Sequence, residues 1–218
     1  MSILDALGNE DKAVGRTYGI AAGIVTNNKD PQKLGRLKVK FPWLSDNNET
    51  DWVRMTTFMA GGGRGGFFLP EVGDEVLVAF ENGNLNRPYV IGSLWNGVDK
   101  SPENNSDGQN NIRKIKSRSG HEIIFNDDNT AKREKIEIHT KAGHKIVLDD
   151  SAGQEKIELI DKTENNKITI DSVQNSINIE SAVQLNIKAN IVEIEATASL
   201  TLKSSAVLTI QGSIVKIN

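Results

Sequence analysis

The sequence predicts an all-β protein in two unlike parts, and three observations carry that prediction. Short apolar/polar alternating runs separated by turn signals fill the first 95 or so residues. Aliphatic i/i+2 pairs then recur from Ile123 to Ile217. Between the two the composition changes abruptly: ten of the eleven aromatics lie between Tyr18 and Trp95, all five prolines lie between Pro31 and Pro102, and Phe125 is the last ring in the chain. Alternation with period two places one side of a strand against a core and the other in water.

Residues 1–17 read as an N-terminal extension. The start MSILDALGNEDKAVG has neither a basic region nor a sustained apolar run, which argues against a secretory signal. No stretch approaches the roughly 20 apolar residues of a membrane span. Residues 18–97 carry five β-type runs: GIAAGIVT (19–26), LGRLKVKF (34–41), DWVRMTTF (51–58), DEVLVAF (74–80) and RPYVIGSLW (87–95). Turn signals separate them, including NNKDP (27–31) and Asn82-Gly83, where both residues tolerate the positive φ of a tight hairpin. Five strands in so short a span fit a small closed barrel, of which the OB-fold is the commonest type. Residues 98–112, with the polar segment SPENNSDGQNN at 101–111, read as a linker.

Residues 113–218 form the second part. The pairs are Ile123/Phe125, Ile136/Ile138, Ile146/Leu148, Ile157/Leu159, Ile168/Ile170, Ile177/Ile179, Leu185/Ile187, Val192/Ile194, Leu200/Leu202, Leu208/Ile210 and Val215/Ile217. Their spacing shortens from 13 residues at the start to 7 or 8 at the end, so the pattern tapers. Two aliphatic side chains per repeat, with no ring after Phe125, make a thin core for a lone chain. Several copies wound about one axis would pool their stripes and pair every strand edge. A right-handed single-chain solenoid of about 22 residues per coil also matches the spacing. Periodicity alone leaves both standing, and the thin core and the taper favour the multimer.

Composition removes other classes. A formal charge of −3 and a pI near 5.7 give no electrostatic reason to expect nucleic acid or an anionic membrane as partner. With no cysteine there is neither a disulfide nor a thiolate metal site. GGGRGG (61–66) matches G-x-G-x-x-G but is followed by FFLPEVGDEV rather than a helix, and so reads as a flexible loop. His121 and His144 occupy matching places in SGHEI and AGHKI, and Asp127-Asp128 and Asp149-Asp150 lack calcium-loop spacing. These are read as turn residues. No catalytic constellation, cofactor site or metal site emerges, and the chain is expected not to be an enzyme. One rival reading remains: an OB-fold nucleic-acid-binding protein with a β-solenoid oligomerisation tail, using Arg36, Lys38, Lys40, Phe41 and Trp43.

The runs LGRLKVKFPWL, DWVRM and GGGRGGFFLPEVGDEVLVAFENGNLNRPYVIGSLWNG resemble the OB-fold of the central spike proteins of contractile injection machines. That family includes phage baseplate spikes, type VI secretion VgrG proteins and their extracellular relatives. RSGHEIIFND, KIEIHTKAGHKIVLDD and EKIELIDKTENNKITID resemble its needle, so the resemblance covers residues 18–218. It implies an OB barrel followed by an intertwined triple-stranded β-helix, a homotrimer whose core includes Ile168/Ile170, Ile177/Ile179, Leu185/Ile187, Val192/Ile194 and Leu200/Leu202. It implies a mechanical role in piercing a target membrane, and a blunt end of Leu208, Ile210, Val215, Ile217 and Asn218 that carries a PAAR-type tip protein. The particle would assemble in the bacterial cytoplasm and act outside the cell or at the target envelope. Only about 17 residues precede the barrel where relatives often carry a hub domain, so a separate hub or baseplate protein is expected. An eleven-residue linker stands where some phage spikes insert a lysozyme domain, and the last 70 residues hold no histidine for a tip metal.

Overall fold

The computed structural model describes residues 19–44 and 48–217. The expected N-terminal extension, and Asn218 of the expected tip, lie outside the described residues. The chain divides into two compact units, residues 1–110 and 111–218, and each is described by itself.

The first unit is built from β1 (Ile20–Asn27), β2 (Lys38–Lys40), β3 (Arg54–Met55), β4 (Ala60–Gly61), β5 (Arg64–Gly65), β6 (Glu75–Phe80) and β7 (Pro88–Ser93). Five of these form a sheet in the order β2-β1-β6-β7-β3. Its two edges meet: Leu37 and Val53 exchange N–H···O bonds of 2.9 and 2.7 Å, and Lys40 bridges Glu49. The sheet is thereby a closed barrel, with β3 parallel to β7 and the other strand pairs antiparallel. Closure pairs both edges of this five-stranded sheet and so removes them as sites for aggregation. Strict alternation in β6 sends Val76, Val78 and Phe80 inward, where they join Val25, Leu37, Val39, Phe41, Val53 and Val90 in one core. The Phe41 ring packs against Phe80 with centroids 5.6 Å apart.

Asp30 organises the loop between β1 and β2. Its side chain is only 3% exposed and accepts bonds from the Arg36 guanidinium (2.8 and 2.9 Å) and from the N–H groups of Gln32, Leu34 and Arg36. The Arg36 guanidinium, aided by those amides and opposed by burial, holds the Asp30 carboxyl well below the usual carboxylate range. A folded-state value below the unfolded one of about 3.9 means the contribution is complete above that value and is lost as pH falls through it. Asp30→Asn is therefore expected to lower the barrel's melting temperature at pH 7. It should also flatten the decline seen below about pH 4 in the wild type, which thermal unfolding across pH checks.

Two local expectations are corrected. GGGRGG is not a loop: Ala60↔Gly65 and Gly61↔Arg64 pair as the ribbon β4–β5, because glycines at the tip let the chain reverse within two residues. Asn82-Gly83 does take positive φ at both residues (52° and 73°), but inside a 3-10 turn. The connection closes as a longer loop through Glu81 N–H to Arg87 O (3.0 Å).

The second unit opens with seven strands: β8 (Ile112–Lys116), β9 (Glu122–Asn126), β10 (Lys135–His139), β11 (Lys145–Asp149), β12 (Lys156–Ile160), β13 (Asn166–Asp171) and β14 (Ser176–Ser181). They form one antiparallel meander in chain order. β8 begins at Ile112, the last residue of the expected linker. The pair rule overlooked this strand because its corresponding residues are Arg113 and Ile115, one of them charged, and Arg113 is ion-paired with Asp127. From Ala182 to Ile217 the described chain contains no strand, and among the described residues its backbone makes no backbone–backbone ladder with another segment.

Candidate assembly interface

Register converts the i/i+2 pairs into two continuous rows. In one row Ile115, Ile123, Ile138, Ile146, Leu159, Ile168 and Ile179 lie directly opposite one another from strand to strand. In the other, Phe125, Ile136, Leu148, Ile157, Ile170 and Ile177 follow Arg113. Directly opposed aliphatic side chains are the unit of sheet stabilisation, and one face of the meander is almost wholly built of them. Among the described residues this face stays open: Ile136 is 39% exposed, Leu148 41% and Ile170 40%. A contiguous apolar area of that length marks an interaction surface.

The opposite face carries the charges. Lys135 pairs with Glu137, Lys156 with Glu158 at 3.1 Å, and Glu122 with both Lys116 (2.8 Å) and Lys114 (3.6 Å). The Lys116 ammonium, against opposing burial, holds the Glu122 carboxyl below its usual value. This face also holds Ile124, Val147 and Ile160, and Val147 is the one buried apolar residue described in the unit. They escaped the pair reading, although the unbroken runs Ile123-Ile124-Phe125 and Ile146-Val147-Leu148 were the signal for them.

Of the expected trimer-core residues, Ile168, Ile170, Ile177 and Ile179 stand on the apolar face. Leu185, Ile187, Val192, Ile194, Leu200 and Leu202 lie in the unpaired tail and are exposed. Bends at residues 182–183, 190, 197–198, 205–206 and 213 divide that tail into extended segments, each holding one aliphatic pair. The expected tip residues Leu208, Ile210, Val215 and Ile217 are at least half exposed, Ile217 reaching 89%. A backbone that lies in no strand ladder leaves most of its N–H and C=O groups to water or to another chain.

Of the five barrel residues of the nucleic-acid reading, Lys40 and Trp43 are exposed and the other three are engaged within the barrel. Arg36 is bound to Asp30, Lys38 bonds Glu49 at 2.6 Å, and Phe41 lies in the core. Among the described residues no group of three or more His, Asp or Glu side chains is arranged to hold a metal ion.

A closed five-stranded barrel with a parallel β3–β7 pair defines the class, an OB domain within an all-β chain. The family described as the type VI secretion system/phage-baseplate injector OB domain matches residues 21–95. The chain is 30% identical over 134 residues to the type VI secretion system spike protein VgrG4b of Pseudomonas aeruginosa, an alignment covering 50% of this chain and 16% of that one. It is 38% identical over 73 residues to spike protein VgrG3 of Vibrio cholerae (32% and 7%). It is 26% identical over 129 residues to VgrG1a of Pseudomonas aeruginosa (55% and 20%). Residues 21–95 thus carry an injector-type OB domain, and the chain is similar in sequence to VgrG spike proteins. It spans a fifth or less of the length of each of these three relatives.

Proposed function

We propose that this chain is a structural central spike of a contractile injection machine, acting as a homotrimeric needle and not as an enzyme. One observation carries the reading: among the described residues beyond Ala182, a chain that carries an injector-type OB domain continues without any strand or backbone ladder to the rest of the chain, and its aliphatic pairs are at least half exposed. Three copies wound together give every segment a neighbour, turn the Ile and Leu rows toward a common axis, and leave the Lys–Glu face in water. Interchain ladders along the whole length make a stiff shaft, which is what transmitting a contraction stroke to a target membrane requires. The barrel, expected at 18–97, faces a separate hub or baseplate protein. The end formed by Leu208, Ile210, Val215, Ile217 and Asn218 of three chains takes a PAAR-type cap, which shields strand ends that would otherwise be open. Assembly takes place in the bacterial cytoplasm and action at the target envelope.

The test has two readings. Electron micrographs of the purified protein are expected to show a rod with a thicker end, and a purified PAAR-type protein is expected to bind the full chain but not a chain ending at Leu202. A globular particle would remove the needle, and equal binding by the truncated chain would remove the tip assignment.

A further inference from the structure

The hairpin loops along one edge of the meander are joined by side-chain acceptors. The β8–β9 and β10–β11 loops share one design. Ser117 N–H donates to His121 O (2.8 Å) and Thr140 N–H to His144 O (2.9 Å), closing each loop. The Ser117 and Thr140 hydroxyls accept from the His121 and His144 amides (3.0 and 3.1 Å). Gly120 and Gly143 supply the left-handed residue, with φ of 88° and 101°. A Cβ built at either glycine would sit 3.6–3.7 Å from the lysine of the next loop, so about one methyl group's space separates neighbouring loops there.

Each histidine then reaches out of its own loop. The Lys141 N–H donates to His121 Nδ1 (3.3 Å) and the Lys162 N–H to His144 Nδ1 (3.1 Å). At the third loop, one residue longer, Asn166 takes the same place: its Oδ1 accepts from the Ala182 N–H at 3.4 Å. Three successive loops are thus tied by one acceptor each, two of them imidazole nitrogens and one an amide oxygen.

We propose that His121 and His144 form a proton-sensitive clasp on this edge, holding loop to loop when neutral and releasing when protonated. An Nδ1 that accepts must carry a lone pair, which fixes the neutral tautomer with the proton on Nε2. Imidazole gains its second proton between about pH 5 and 8, and an imidazolium has two donors and no acceptor, so it faces the Lys141 or Lys162 N–H with a like dipole. The charged groups around His121 are Arg118 and Glu122 on its own hairpin, the latter held by Lys114 and Lys116. From the next hairpin come Lys141 and the His139–Glu137 pair. Around His144 they are Lys141, Lys145 paired to Glu164, Asp161 and Lys162, and, lining the same hollow, Lys167 paired to Glu180. Asn166 does not titrate, so acid loosens the two loops nearer the barrel in sequence and spares the third. The inference rests on hairpin geometry and not on the spike reading, and its failure would leave that reading untouched.

Hydrogen-exchange mass spectrometry of the full chain at pH 5 and pH 8, with labelling times scaled for intrinsic exchange, tests it. Peptides containing Lys141 and Lys162 are expected to lose roughly two- to tenfold protection at pH 5, while the peptide containing Ala182 keeps its own. In His121→Asn/His144→Asn, where the acceptor no longer titrates, the loss should disappear. Equal protection of the wild-type peptides at both pH values overturns the clasp, as does a loss that persists in the double variant. If that variant does not assemble, the wild-type comparison against Ala182 decides alone.

Discussion

Leu202→Asp is expected to abolish the oligomer. On the proposed reading Leu202 faces a shared axis, and three copies would bring three carboxylates together with no cation among the neighbouring tail segments except Lys203. Burying one unpaired carboxylate already costs several kcal/mol, and three around one axis repel as well. In the single chain Leu202 is 60% exposed, so a monomeric protein would register the change at well under 1 kcal/mol. The adjacent Thr201→Asp, on the opposite side of the same strand-like segment, should leave the mass and melting temperature nearly unchanged. Size-exclusion chromatography with light scattering separates the outcomes, and a Leu202→Asp protein that stays assembled and heat-stable would show that the side of the tail had been misassigned.

The second large effect belongs to the barrel. Gly23 lies in β1 opposite Val76 of β6, and a Cβ built there falls 2.4 Å from Val39 Cγ1 and 3.2 Å from the Lys40 carbonyl oxygen. Val39 is fully buried and cannot swing away. Gly23→Val therefore has to push β2 off β1 and open the barrel at the pairing that begins at Ile24↔Lys40. A loss of about 3 kcal/mol is expected, at the upper end for overpacked sites. Chemical denaturation followed by Trp fluorescence measures it, and a loss below 1 kcal/mol would mean that β1 and β2 are not held as closely as described.

Where a residue's neighbours lie nearby in sequence, the pattern was enough. The five barrel runs became β1, β2, β3, β6 and β7 because alternation survives even where a strand is only two or three residues long. What could not be read was pairing between distant segments. Nothing near Leu37 announces that Val53 will close the barrel, and nothing near Asp30 announces that its carboxylate gathers Arg36 and three amides. The β4–β5 ribbon was missed because glycine carries no side chain to alternate. β8 was missed because Arg113 breaks its pair. In the apolar face the pairs were visible from the start, but their alignment into two rows is a property of register, set by hairpin loops of four to eight residues that fall between them. The tail shows the opposite case. Its pairs are as regular as those of the meander, yet among the described residues they form no strand, because a strand also needs a paired neighbour and spacing alone does not supply one.

The claim beneath all of this is that the segments after Ser181 find their partners in other copies of the chain. Sedimentation equilibrium at micromolar and lower concentrations tests it directly. The predicted result is a single species of three times the 23.8 kDa chain mass that does not dissociate on dilution. A species of one chain mass, with the tail still resistant to protease, would contradict it.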